Sequence, residues 1–169
     1  MFKKKAQDFL LISTKSLKLI IEVTPEIYND KRFGINQNHI SKNALNIISK
    51  LHKSGFEAYI VGGGIRDMIK GLKPKDFDIV TDCEPEEIRK IFRNSRIIGR
   101  RFKLVHIAFV DEIIEATTFR AGGTNTTESI EINEKGRIVR DNNWGTQEED
   151  VLRRDLTINS IYYDPFSHE

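Results

Sequence analysis

From Ser41 onward the apolar positions fall into a regular rhythm. Ala44, Leu45, Ile47, Ile48 and Leu51 recur at helical spacing behind Ser41, whose hydroxyl suits a helix cap, and Gly55 stops the run. The apolar run 58–61 predicts a short strand. Gly62-Gly63-Gly64 follows at once, then a predicted helix over 65–70 that Gly71 ends. Lys73-Pro74-Lys75 turns the chain into a second predicted strand, 76–80. Pro85, with Glu86 and Glu87 in the first turn, opens a third helix whose Ile88, Ile91 and Phe92 face inward. Alternation over 104–110 and 113–119 predicts a hairpin around Asp111-Glu112. After a polar loop at 121–127, Thr146 and Glu149 form a capping box for a helix running through Arg153, and a last strand ends at Asp164-Pro165. The order implies an α/β (α+β) domain with a small mixed sheet flanked by helices. Residues 1–38 are weakly patterned and read as a basic N-terminal extension to a domain spanning 39–169.

Composition narrows the picture only a little. At 169 residues, 38% hydrophobic and 31% charged, the chain suits one soluble domain. A net charge of +2 names no partner, but its distribution is uneven. Arg89, Lys90, Arg93, Arg96, Arg100, Arg101 and Lys103 occur with no acidic residue among them. Such a run suits a phosphate backbone, and equally a solvated helix face followed by a loop. Cys83 is the single cysteine, so no internal disulfide forms and a reducing compartment fits. No stretch approaches the ~20 apolar residues of a membrane span. Lys3-Lys4-Lys5 before Phe9-Leu10-Leu11-Ile12 has the outline of a leader, but Ser13, Thr14, Lys15 and Ser16 interrupt it without a cleavage site. A cytoplasmic location is expected.

The chemistry concentrates in two places. On a strand, Asp76 and Asp78 of Asp76-Phe77-Asp78 would share one face with their Cα atoms roughly 6.6 Å apart, while Phe77 and Ile79 pack on the other. Carboxylates that close repel unless a cation lies between them, and Mg²⁺ takes one or two carboxylates plus substrate phosphates. An exposed polar strand face is the bland alternative. The second place is Gly62-Gly63-Gly64-Ile65-Arg66-Asp67. There the glycines let backbone N–H groups approach an anion and Arg66 can add a guanidinium to a triphosphate. Asp67 stands where a dinucleotide fingerprint wants glycine, and no Gly-Lys-Ser/Thr completes a Walker A loop. His106, alternating with Val105 and Ile107, reads as a structural residue of a buried strand; Trp144, Tyr162 and Tyr163 read as packing.

Together these features resemble the nucleotidyltransferase superfamily that includes DNA polymerase beta. More narrowly, the stretch from Gly62 to Asp78 resembles a motif of the class II tRNA nucleotidyltransferases and bacterial poly(A) polymerases. Glu148-Glu149-Asp150-Val151-Leu152-Arg153-Arg154-Asp155-Leu156-Thr157-Ile158-Asn159 is similar to that family's Arg-Arg-Asp-x-x-x-Asn motif and the acidic helix before it. Ile113 to Arg120 resembles the strand that supplies a further active-site carboxylate. The resemblance runs from about Ser41 to Asp164 and implies a polymerase-beta-type head domain.

It also implies roles. Asp76, Asp78 and Glu115 would bind two Mg²⁺ ions, with Asp155 also catalytic; an ion pair of Asp155 with Arg153 or Arg154 is the alternative. Gly62, Gly63, Arg66, Asp67, Arg154 and Asn159 would bind nucleotide, with ATP as substrate. The acceptor would be an RNA 3′ end, met by Arg100, Arg101 and Lys103. The stretch Gly99-Arg100-Arg101-Phe102-Lys103-Leu104-Val105-His106 is more similar to the poly(A) polymerase branch than to the CCA-adding tRNA enzymes, so tailing of RNA with AMP in mRNA processing and decay is the expectation. A helical neck with the base-selecting motif, and an RNA-binding body, are expected to lie beyond Glu169 or on a partner covering an apolar face near Ile161 and Tyr163. CCA addition to tRNA and a non-catalytic nucleotide- or RNA-binding remnant are the other readings.

Overall fold

The computed structural model describes residues 25–100, 102–121, 130–132 and 138–169. Helix α1 (Lys42–Lys53) begins where Ser41 Oγ accepts the N–H groups of Asn43 and Ala44. Its buried stripe is Ala44, Ile47, Ile48 and Leu51, as the spacing predicts. Strand β1 (Ala58–Val61) leads through Gly62 into α2 (Gly63–Ile69), then β2 (Asp78–Thr81) into α3 (Pro85–Ile91), which buries Ile88 and hands on to buried Phe92. Three antiparallel strands follow in sequence: β3 (Ser95–Ile98), β4 (Leu104–Ala108) and β5 (Ile113–Thr118). A two-stranded ribbon, β6 (Ile130–Ile132) and β7 (Ile138–Asp141), precedes α4 (Gln147–Leu152). Thr146 and Glu149 close the predicted capping box of α4.

The main sheet has the order β1-β2-β5-β4-β3, with β2 and β5 parallel and the other pairs antiparallel. This is the mixed sheet expected. One face carries Ala58, Ile60, Ile79, Ala116, Ile114, Val105 and Ile107, all fully buried in a core shared with α1, α2 and α3. The opposite face carries a smaller apolar group, Val61, Val80 and Phe119 with Tyr59 and Tyr162, and beside it a row of charged side chains.

Three expectations need correction. The second strand starts at Asp78 instead of residue 76, although Asp76, Phe77 and Asp78 keep an alternation of exposed, buried and half-buried. The basic run hides β3, whose Ser95 and Ile97 lie on the core face between exposed or half-exposed Arg96 and Ile98. A one-residue alternation of this length is easily masked by charge on an edge strand. Finally, no strand ends at Asp164; Thr157–Asn159 form a 3₁₀ turn and Tyr163 makes an isolated bridge with Ile60. Within the span read as an extension, Asp30 is buried, where its carboxylate accepts from Tyr163 Oη at 2.9 Å and meets His168 Nδ1 at 3.0 Å.

Candidate active site

The two glycine- and aspartate-bearing segments are held edge to edge. Gly62 has φ +76° and ψ −142°, backbone that side chains rarely adopt, and a Cβ there would lie 2.7 Å from Asp78 Oδ2. A Cβ on Gly64 would come within 3.0 Å of the Asp76 carbonyl oxygen and 3.6 Å of the Phe77 ring. Absent side chains therefore let the turn lie directly on the carboxylate. Gly63 lies beside the Arg66 guanidinium, whose Nη2 would sit in ordinary contact, 3.7 Å, from an added Cβ. Asp67 follows Arg66 on α2 and is half-buried.

Sheet register assembles the rest. Asp78 on β2 pairs with Glu115 on parallel β5, Glu115 with His106 on β4, and His106 with Arg96 on β3. Paired positions share a face, so the four side chains form one row across the sheet. Burial pushes the Asp78 carboxyl above its ordinary range, and the charges of Glu115 and then Asp76 push it further, with Arg154 pulling the other way. That field brings Asp76, Asp78 and Glu115 into one acidic locus. His106 alternates with buried Val105 and Ile107, as the sequence predicts, and so lies on this face, with 36% of its side chain exposed and Nε2 3.6 Å from Glu115 Oε2.

The Arg-Arg-Asp segment is organised by a residue that carried no role in the sequence reading. Asp150 on α4 is 0% exposed. Its Oδ2 accepts from Tyr162 Oη at 2.6 Å and from Arg154 Nη2 at 2.8 Å and Nε at 3.0 Å. Its Oδ1 accepts from Arg153 Nε at 2.8 Å and the Arg120 backbone N–H at 3.1 Å. Both arginines therefore pair with Asp150, and the ion pair considered for Asp155 goes elsewhere. The sequence signal is an acid at i−3 and i−4 from two consecutive arginines at the C-terminal end of one helix. Asp155 is exposed and accepts from Asn159 Nδ2 at 2.9 Å, while Asn159 Oδ1 accepts from Arg66 Nη1 at 2.8 Å. Arg154 Nη1 donates to the Asn159 carbonyl at 2.9 Å, so Arg66, Arg154, Asp155 and Asn159 form a single connected patch. Tyr162, as expected, packs: edge-on to Tyr59 with centroids 6.0 Å apart and 6.3 Å from Phe119.

Of the basic residues assigned to RNA, Arg101 lies outside the described residues and Arg100 is exposed. Lys103 Nζ donates to Glu86 Oε1 at 2.6 Å, which ties it to α3.

The donor set suits a hard cation. Among the described residues no three His, Cys, Asp or Glu side chains converge on one point. Mg²⁺ does not require that, since it binds through one or two carboxylates and completes its shell with water and phosphate oxygens. Asp78 and Glu115, register partners whose charges oppose one another, would hold it, with Asp76 beside them.

Comparison with known proteins fixes the family. Residues 58–169 match the poly A polymerase head domain. The chain is 51% identical to poly(A) polymerase I of Haemophilus influenzae over 138 residues and 48% identical to poly(A) polymerase I of Salmonella typhi over 136. Each match covers 79% of this chain but only 30% and 29% of those proteins. A crystal structure of the Bacillus stearothermophilus CCA-adding enzyme in complex with CTP superposes with a TM-score of 0.55 at 32% identity, covering 73% of this chain and 27% of that one. The chain belongs to the poly A polymerase head-domain family.

Proposed function

We propose that this domain is the catalytic head of an enzyme that adds AMP to RNA 3′ ends, releasing pyrophosphate from ATP. The observation that carries the reading is the seating of the Gly62 turn against Asp78, with Glu115 beside Asp78 in register. The 3′-oxygen of RNA attacks the α-phosphorus of ATP, the bond to the bridging oxygen breaks, and pyrophosphate leaves. Asp78 and Glu115, with Asp76 beside them, would hold Mg²⁺, which would neutralise charge on the attacking and leaving oxygens. Gly62 and Gly63 give the triphosphate close access to backbone, Arg66 offers it a guanidinium, and Asn159 and Asp155 orient that guanidinium. Arg154, held by Asp150, completes the nucleotide side. The greater identity to poly(A) polymerase I than to the CCA-adding structure supports ATP over CTP. Action in mRNA processing and decay in the cytoplasm follows from this reading; among the described residues no helix is long and apolar enough to cross a membrane.

Primer extension tests the proposal. With Mg²⁺, ATP and a generic RNA, a protein that joins this head to the expected neck and body should build tails, and with all four triphosphates should prefer ATP, whereas residues 1–169 alone should give at most feeble transfer with little choice of base. A product that halts at three nucleotides on tRNA, with CTP consumed first, would replace this reading with CCA addition. Nucleotide binding without transfer would overturn the enzymatic reading.

A further inference from the structure

Resting on that reading, we infer that Arg96, flanked by His106, receives the phosphate of the acceptor RNA's last internucleotide linkage. The row Asp78–Glu115–His106–Arg96 crosses four adjacent strands on one face. At ~4.8 Å per strand the row spans about 14 Å of backbone from Asp78 to the sheet edge, and about 10 Å from Glu115, a gap that the long Arg96 side chain can shorten. On one flank of Asp78 the Gly62 turn lies on its carboxylate, and the proposed function seats the triphosphate there, with Arg66 and with Arg154, whose charge acts on Asp78. A second polyanion must therefore come from the other flank, over β4 and β3.

On that flank the basic run divides sharply. The Arg89 guanidinium donates to the Ser95 carbonyl, Lys90 pairs with Glu87, and Lys103 is tied to Glu86. Among the described residues, Arg93, Arg96 and Arg100 keep side chains free of ion pairs and hydrogen bonds. Only Arg96 of these three stands in register with the carboxylates; Arg93 lies in the turn after α3 and Arg100 beyond the end of β3. An exposed arginine on an unpaired sheet edge presents its planar fork of donors outward, where a phosphate oxygen pair fits it. The placement also solves an electrostatic problem. An RNA end brought to three carboxylates is repelled, and a cation one nucleotide back along the approach offsets that repulsion where the strand must lie. His106 stands in register between Arg96 and Glu115 and spaces the two.

The test couples a protein change to a phosphate change. Binding of a 5′-labelled oligoribonucleotide would be measured by fluorescence anisotropy at fixed salt, using natural RNA and RNA whose last linkage is an uncharged methylphosphonate. The native protein is expected to lose about tenfold in affinity with the methylphosphonate, and Arg96→Ala to lose about tenfold with natural RNA. Combined, the two changes should cost little more than either alone, and Arg96→Lys should recover part of the loss. Arg93→Ala, in the same run but off the row, should show additive losses. ATP binding should be unaltered by Arg96→Ala. Additive losses for Arg96→Ala, no measurable RNA binding, or equal coupling for Arg93→Ala would overturn the inference. Primer extension on the same preparation separates the two claims: coupling without extension would sink the proposed activity alone, and extension without coupling would sink the Arg96 assignment alone.

Discussion

Asp150 and Asp78 are two desolvated carboxylates that the chain treats in opposite ways. Around Asp150 it places two guanidinium groups, a tyrosine hydroxyl and a backbone amide. Burial pushes that carboxyl up, but the Tyr162 hydroxyl and the Arg154 and Arg153 guanidiniums outweigh it and hold it below its ordinary value. Around Asp78 burial is joined by Glu115 and Asp76, so every nearby acid adds to the cost of its charge and Arg154 alone opposes them. The first network is complete within the protein. The second is not: the charge on Asp78 lacks that compensation, and a bound cation would supply it. A carboxylate whose own chain supplies mainly like charge is a strained arrangement that folding alone would not favour, and such strain collects where ligands bind. Arg154 joins the two: Asp150 fixes its side chain, and its field reaches Asp78.

The contrast is broken most severely at Asp78 or Asp76. Replacing either with alanine is expected to reduce turnover by three orders of magnitude or more, at least ~4 kcal/mol of barrier, while circular dichroism shows the fold intact. Retention of more than about a tenth of the rate in primer extension, ~1.4 kcal/mol, would remove the metal role from that residue.

Asp150→Ala should act in the reverse sense, on stability first. Leaving buried guanidiniums without a partner costs about 3–5 kcal/mol. Here the cost should be nearer the lower bound, since Arg153 keeps 29% of its side chain in solvent. Urea unfolding would measure it. The sign with pH follows from the lowered carboxyl: its contribution is present above the ordinary value of 3.8 and is lost as pH falls through the lower folded value. The stability gap between wild type and variant should therefore hold constant from neutral pH to about pH 4 and close only below it. A gap that closed near pH 6 would show that Asp150 is not the group responsible.

How much of this was legible beforehand depends on how far each feature reaches along the chain. Ser41 and the stripe from Ala44 to Leu51, or the box of Thr146 and Glu149, are written within one or two turns, and they appear as predicted. The pairing of Asp78 with Glu115 depends on a parallel register between strands more than thirty residues apart. Sequence could name both acids, by resemblance, but nothing local ties one to the other. The alternation of His106 with Val105 and Ile107 is legible in the sequence, but it gives two faces without saying which is covered; three helices on one side decide it. Asp150 escaped notice because burial of an acid is unusual unless it is paired, and its partners are spread over α4, the segment after β5 and Tyr162.

A smaller effect is expected from Gly62→Ala. The backbone there costs a side-chain-bearing residue about 1–3 kcal/mol, and the new methyl must displace the Asp78 carboxylate from 2.7 Å. Both stability and turnover should fall, and a structure of the variant should show Asp78 rotated. Full activity would mean that the turn has no close partner in Asp78.

The smallest expected change is the most diagnostic, because it has the unusual sign. Asp78→Asn keeps the shape of the side chain and removes the charge that burial, Glu115 and Asp76 disfavour. In EDTA at neutral pH the variant should be more stable than wild type, by about 0.5–2 kcal/mol, the range of single stabilising changes. For a chain of this size that is a rise of a few degrees in Tm, on the order of 2–4 °C per kcal/mol. Asp150→Asn under the same conditions must be destabilising, because there the charge has partners. Millimolar Mg²⁺ should raise the midpoint of wild type and not that of Asp78→Asn, since a ligand stabilises only the state that binds it. If Asp78→Asn were instead destabilising in EDTA, Asp78 would be a satisfied structural carboxylate like Asp150, and the argument that the locus is held ready for a cation would fail with it.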